Sequence, residues 1–263
     1  MKCYNQLLLR RLRTRLVGRE IRVLDSVPST NDAAAAAFRK GAGDGLVIVA
    51  DAQTRGRGRM GRAWHSPAGK GLWFSVLLPV RPGISPTLVT AAASLAVCRV
   101  VRRTTGLPAL IRWPNDIVIR GRKAAGILVE GKRGGGRDAL VLGIGVNVSQ
   151  RRRDFPLELR NRATSLSAAA GRVPDRTRLL RGILRALDRL LETLPAGSPA
   201  LLAAWQRLSE GKGRAATIRW RNRLYSGIVE FADPVRGIIL ATPEGRRGIF
   251  PTRETTVVTL ENP

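Results

Sequence analysis

Histidine occurs once and cysteine twice in the 263 residues, and that scarcity removes several chemistries at the outset. Cys3 and Cys98 stand far apart with no paired spacing, so neither a disulfide scaffold nor a Cys/His zinc site has its ligands. A single histidine, His65, rules against a His-based triad. The low thiol count suits a reducing cytoplasm. No apolar run reaches the roughly 20 residues of a membrane span. The run Leu7 to Leu9, inside an arginine-rich and acid-free segment from Met1 to Arg19, is too short for a secretory core. A soluble, cytoplasmic chain with no membrane contact is the expectation. Acids are scarce too: 19 Asp+Glu stand against 46 Lys+Arg, a formal net charge of +27. Such a field attracts anionic substrates, acidic proteins and nucleic acid. The only lysines are Lys2, Lys40, Lys70, Lys123, Lys132 and Lys212, however, so nearly all the charge is arginine scattered along the chain, in part a compositional habit. Too few residues precede the first strand, at Ile21, for a helix-turn-helix unit, so specific DNA binding is not expected.

What is present is organised around Asp51 to Leu78, centred on Gly56-Arg57-Gly58-Arg59-Met60-Gly61-Arg62-Ala63-Trp64. Alternating glycine and arginine lets backbone N–H groups and guanidinium forks converge on phosphate or carboxylate oxygens. Trp64 offers a flat surface for a purine. A flexible basic linker, or an RGG-like segment that binds nucleic acid, has similar composition. This loop, though, is pinned between two β-rich apolar runs, Leu46 to Ala50 and Leu72 to Leu78. Its glycines predict mobility without ligand and ordering on binding.

Leu7, Leu8, Leu9, Leu12 and Leu16 form a helical stripe that predicts a first helix docked on its own domain. Ile21 to Leu24 reads as a strand, followed by a helix to about Lys40 for which Ser29 or Thr30 is a natural N-cap. With Asn31 these side chains either only cap the helix or also hold a small polar ligand at its N-terminus. Pro86 to Arg103 reads as a helix, and short runs from Ala109 to Val148, punctuated at Arg120-Gly121 and Gly134-Gly135-Gly136, as a strand meander. Asp116 near Lys123 across a hairpin is either a structural ion pair or a Mg²⁺ ligand beside a phosphate-binding lysine. Gly143 and Gly145 weaken a strand unless something approaches its backbone closely. Asp175 to about Leu208 is a divided helical pair. Beyond Gly211 come short β pieces, with turns at Asp233-Pro234 and Pro243-Glu244-Gly245, as in a small barrel. The expected fold is α+β: a mixed or mainly antiparallel sheet flanked by helices over residues 1–210, then a small C-terminal β-barrel over residues 211–263.

Four stretches, GRGRMGRAW at Gly56 to Trp64, RWPND at Arg112 to Asp116, KAAGILVE at Lys123 to Glu130 and GIGVNV at Gly143 to Val148, together resemble the biotin protein ligase family, also called biotin–[acetyl-CoA-carboxylase] ligase, in the form without an N-terminal DNA-binding domain. The resemblance covers about residues 20 to 150. It implies that biotin and ATP, with Mg²⁺, form biotinyl-5′-AMP and pyrophosphate, and that a lysine on a biotin carboxyl carrier protein of acetyl-CoA carboxylase then takes the biotinyl group. A homodimer is compatible with it. By the same resemblance Ser29, Thr30, Asn31, Gln53, Gly56 and Gly126 match the biotin side, and Arg57, Arg59 and Lys123 the catalytic groups that also contact biotin. Arg62, Trp64, Arg112, Asn115, Gly145 and Asn147 match the nucleotide side, and Asp116 the metal. The family's C-terminal signature is degraded here to Pro251-Thr252-Arg253-Glu254-Thr255-Thr256-Val257. Two alternatives remain: a lipoate or octanoate ligase of the same superfamily, whose usual Arg-Arg-x-x-Gly-Gly-Gly-x-Val-x-His run or catalytic cysteine is missing, and a basic nucleic-acid-binding module.

Overall fold

The computed structural model describes residue 4 and residues 12–134, 136–242 and 247–261. The expected first helix falls mostly outside the described residues, as do Gly135 and the Pro243-Glu244-Gly245 turn. Where the leucine stripe predicts that helix to continue, residues 12–19 are not helical. The reason is a long-range contact: the backbone N–H groups of Arg15, Leu16 and Val17 donate to the buried carboxylate of Asp188 at 2.9, 2.7 and 3.0 Å. Leu12 is still buried in the main core.

The first sheet has eight strands: β1 (Glu20–Val27), β2 (Leu46–Gln53), β3 (Gly71–Pro79), β4 (Ala109–Arg112), β5 (Asp116–Ile119), β6 (Arg122–Gly134), β7 (Arg137–Asn147) and β8 (Ser209–Glu210). Their order is β1-β2-β3-β7-β6-β5-β4-β8. The β1–β2 and β4–β8 pairs are parallel and the others antiparallel, so the sheet is mixed. Among the described residues five α-helices accompany it: α1 (Thr30–Arg39), α2 (Pro86–Thr105), α3 (Leu166–Ala170), α4 (Arg176–Glu192) and α5 (Ser198–Leu208).

Strand alternation assigns the two faces. Val47, Val49, Phe74, Val76, Leu142 and Ile144 join α2 and α4 in the main core. Leu46, Ile48, Leu77 and Val141 pack against Ala34, Ala35, Ala37 and Phe38 of α1 on the opposite face. On that second face, α1 is the only helix in the cluster among the described residues, and the strand positions continuing beyond Val141 are Gly143, Gly145 and Asn147. The sequence thus leaves a stretch of sheet bare beside the N-terminus of α1.

A second, antiparallel sheet, in the order β12-β11-β10-β9-β13, comprises β9 (Ala215–Trp220), β10 (Arg223–Asp233), β11 (Gly237–Ala241), β12 (Arg247–Phe250) and β13 (Thr255–Leu260). Its Ala216, Ile218, Val229, Ile238, Leu240 and Phe250 belong to the same apolar cluster as the first sheet. Trp113 Nε1 also donates to Asp233 O across the junction, at 3.0 Å. The fold is therefore α+β, a mixed sheet with helices followed by a five-stranded antiparallel sheet.

Candidate active site

A cavity of about 570 Å³ opens over the bare part of the sheet and reaches the second sheet at Thr256 to Leu260. Its floor is made of glycines. Gly126 and Gly145 are cross-strand partners on β6 and β7. A Cβ at Gly145 would lie 2.5 Å from Trp64 Nε1, one at Gly126 2.9 Å from Trp64 Cζ3, and one at Gly143 2.3 Å from Asn31 Oδ1. Any side chain at these positions collides with groups lining the cavity, which is the close approach that strand glycines signal.

One end of the cavity is lined mainly by neutral hydrogen-bonding side chains. Ser29 occupies the N-cap position of α1, extended at φ −154°, but its side chain makes no capping hydrogen bond. Thr30 donates from both its backbone N and its Oγ1 to Gln53 Oε1, at 2.8 and 3.1 Å. Gln53 Nε2 in turn donates to Ser66 Oγ at 2.8 Å. Ser75 Oγ lies 2.6 Å from Asn31 Oδ1 and 2.8 Å from Thr30 Oγ1, and Asn31 Nδ2 donates to Glu130 Oε2 at 2.8 Å. The chain of bonds fixes the amide orientations, because each acceptor faces a donor.

The other end is cationic. Lys123 Nζ pairs with Asp116 Oδ1 at 2.7 Å across the β5–β6 hairpin and lies 5.1 Å from the centre of the Trp64 ring. Asn115 anchors the same corner through Nδ2 to Ile127 O at 2.6 Å. Arg112 donates from Nε to the buried Glu210 of β8 and from Nη2 to Gly121 O at 3.2 Å. Asn147 is buried and held by Thr164 O and Gln150 Nε2, both at 3.1 Å. Arg62 lines the cavity and is exposed.

The arginine loop covers this floor. Gly56 sits where a Cβ would be 2.5 Å from Trp64 O, and Trp64 N donates to Gly56 O at 2.8 Å. Arg57 forks to Asp32 at 2.7 Å and to Glu130 Oε2 at 3.3 Å; the Asp32 hydrogen bond raises its pKa above the ordinary guanidinium value, with Glu130 adding to it. Arg59 is turned toward the second sheet, and its burial lowers its pKa from the ordinary value. Trp64 packs edge-on against Trp73, with centroids 6.3 Å apart, and its Nε1 is buried without a hydrogen-bond partner among the described residues.

A family profile described as biotin/lipoate A/B protein ligase matches residues 23–147. The bifunctional ligase/repressor BirA of Bacillus subtilis is 36% identical to this chain over 91% of its length and 74% of the relative's. The chain belongs to the biotin protein ligase family. The biotin–[acetyl-CoA-carboxylase] ligase of Paracoccus denitrificans is 30% identical over 88% of this chain and 98% of its own. Among solved structures, the biotin protein ligase from Aquifex aeolicus in complex with biotin and ATP matches with a TM-score of 0.80 at 27% identity, covering 91% of this chain and 98% of that one.

Of the side chains and glycines proposed from sequence as site residues in this ligase-family chain, all but Gly56 line the same cavity; Gly56 opens the loop and packs against Trp64 O. Sequence reasoning missed Ser66, Ser75, Asp32 and Glu210, and quoted Glu130 without a role. Ser75 lies inside an apolar strand, where a buried hydroxyl is a usable signal; Glu210 carries no local signal. The wall at Phe155, Leu159, Arg162 and Ala163 was missed as well. It is tied to the hairpin by Lys123 N donating to Arg162 O at 2.8 Å and Thr164 N to Lys123 O at 2.9 Å. His65 Nε2 lies 2.9 Å from Asp154 O and Cys98 is buried, its thiol pushed up to about 12 by burial. Neither has the arrangement of a nucleophile.

Proposed function

We propose that this chain is an ATP-dependent biotin–[acetyl-CoA-carboxylase] ligase that makes biotinyl-5′-AMP and passes the biotinyl group to a lysine of a biotin carboxyl carrier protein. One observation carries the reading: a single cavity joins an uncharged hydrogen-bonding end at Ser29, Thr30 and Gln53 to a cationic end at Lys123 and Arg112 across a glycine floor. That arrangement suits a neutral ureido ring at one end and a phosphate at the other. The biotin carboxylate attacks the α-phosphorus of ATP, the bond to the β-phosphate oxygen breaks, and pyrophosphate leaves with that electron pair. Two such anions about 4 Å apart repel by roughly 4 kcal/mol at an effective dielectric near 20. Lys123, in the hairpin between the two ends, is placed to offset that repulsion, and positioning with electrostatics does most of the work at a phosphoryl centre. In the second step the carrier amine attacks the acyl carbon, AMP leaves, and the amine proton passes to a base.

Asp116, beside Asn115, is the carboxylate for Mg²⁺. Among the described residues no group of three His, Cys, Asp or Glu side chains could hold a metal ion. One carboxylate still fits an ion that arrives with its nucleotide, because Mg²⁺ keeps waters and takes one or two carboxylates plus phosphate oxygens. The ion would supply further charge neutralisation at the phosphates. The division into a catalytic unit over residues 1–210 and a C-terminal unit over residues 211–263 is supported by the gap between Glu210, which ends β8, and Ala215, which starts β9. A cytoplasmic location is in keeping with the absence, among the described residues, of any helix long and apolar enough to cross a membrane.

The test is pyrophosphate release from ATP with biotin, lipoate or octanoate supplied separately. Release with biotin alone is the expected result. Release with lipoate or octanoate but not biotin assigns the chain to the other branch of the superfamily.

A further inference from the structure

We propose that the second sheet is the catch that holds the arginine loop shut: the turn at residues 252–255 binds Arg59 and so keeps the loop over the cavity. Arg59 Nη2 donates to Thr252 O at 2.5 Å and lies 3.4 Å from Thr255 O and 3.5 Å from Arg253 O, while Nη1 donates to Asn115 Oδ1 at 3.4 Å. Among the described residues Arg59 has no carboxylate partner within ion-pair distance. A half-buried guanidinium without one takes other acceptors, and here they include backbone carbonyls roughly 190 residues away in sequence. The next residue supports the same contact. Met60 sits at φ 55°, ψ 37°, in the left-handed region that a non-glycine residue avoids, yet it is 60% exposed and gains little from packing. Its Sδ accepts from Thr256 Oγ1 at 3.0 Å. The strain at Met60 is therefore sustained by the docking of this turn of the loop on the second sheet.

A planar fork reaches several carbonyls at once where an ammonium cannot, which is why the position takes arginine and not lysine. The segment that departs from the family's C-terminal pattern is the one that supplies these carbonyls, and a backbone contact asks little of the side chains there. Arg59 is accordingly a positioning residue: it retains the intermediate through the loop rather than by touching it. That consequence for retention rests on the ligase reading above; the catch itself does not.

Hydrogen exchange of residues 54–66, measured by mass spectrometry on the full ligand-free chain, tests the catch. Arg59→Lys keeps the charge and loses the fork; insertion of two glycines between Arg253 and Glu254 displaces the carbonyls and leaves Arg59 intact. Each is expected to speed exchange about tenfold, with no further gain when they are combined, and with α2 exchanging at the parent rate. Arg59→Lys exchanging in the loop at the parent rate overturns the proposal, as does a combined effect equal to the product of the two. With biotin and ATP added, the two-glycine insertion should release biotinyl-AMP into solution about tenfold faster while first-turnover pyrophosphate formation stays within about twofold of the parent. An equal loss in both steps would place the 252–255 turn in the chemistry rather than in holding the loop. A parent enzyme that forms no adenylate would sink the ligase reading alone, because the ligand-free exchange result stands without it.

Discussion

The floor and the lid of the cavity are held by opposite means. Gly126, Gly143 and Gly145 belong to strands paired over long continuous registers, flanked by residues with almost no exposure, so the floor's position is fixed by backbone hydrogen bonds and core packing. Among the described residues the lid is tied at its ends by backbone bonds of Thr54 to Val27, Arg55 to Pro28 and Gln53 to Ser66, and between those ends it has only internal bonds, Gly58 and Arg62 among their donors, together with Trp64 to Gly56. Its place is set by side chains reaching outward: Arg57 to Asp32 and Glu130, Arg59 to the second sheet, His65 to Asp154. A rigid floor gives precise geometry, and a lid held by exchangeable contacts can open once per turnover. Lys123 belongs with the floor, since its backbone bonds on both sides fix the hairpin end from which its side chain extends.

The largest expected effect is therefore at Lys123. Lys123→Ala should cut adenylate formation by about 100- to 1000-fold, the scale of removing one preorganised cation or donor from a reacting centre, while the unfolding temperature changes little. The pair with Asp116 is partly exposed, at 35% and 23%, so it adds little stability. Pyrophosphate release and thermal unfolding of one preparation separate the two. An active variant removes Lys123 from the mechanism.

That division also decides what the sequence shows. Floor residues were legible because each breaks a local rule: glycines at Gly143 and Gly145 inside an apolar strand, or a charged pair, Asp116 and Lys123, flanking a tight turn. The sheet, the α1–α2 pattern and the β texture after Gly211 were legible from periodicity for the same local reason. The partners of the lid were not. Arg59 meets carbonyls of the second sheet, Arg57 meets acids from α1 and β6, and Arg112 meets Glu210 only because β4 and β8 run side by side. The leucine stripe failed at residues 12–19 because Asp188, far along the chain, takes three successive N–H groups that a helix would have used.

A substitution confined to the floor probes rigidity directly. Gly145→Val puts methyl groups where a Cβ alone is already 2.5 Å from Trp64 Nε1, and the paired strands cannot yield. Overpacking of about 1–3 kcal/mol corresponds to a loss of about 5- to 150-fold in adenylate formation. Gly131, also on β6, is the matched control: a Cβ there would meet nothing within 4 Å and φ is not positive, so Gly131→Ala should leave the rate unchanged. Equal losses at both positions would mean that the strand, rather than the floor, is what the substitution disturbs.

The smallest effect lies at the root of the lid, and it carries a pH signature. Asp154 Oδ2 accepts the backbone N–H of Arg151 at 2.9 Å and lies 3.4 Å from Lys70 Nζ, while its carbonyl meets His65. The hydrogen bond from Arg151 lowers the carboxyl pKa, and Lys70 lowers it further. A folded-state pKa below the unfolded value, ordinarily about 3.9, contributes stability that is present above that value and lost as pH falls through the folded pKa. The carboxylate is open enough to solvent that the contribution stays below about 1 kcal/mol. Asp154→Asn should therefore lower the unfolding temperature by about 1–3 °C at pH 7, and the difference should close as the pH is taken below about 4. Hydrogen exchange at pH 7 should quicken in residues 62–66 and stay at the parent rate in β7. A difference that persists unchanged into acid would show that Asp154 acts by shape rather than charge, and quickened exchange in β7 would erase the distinction between a packed floor and a tethered lid.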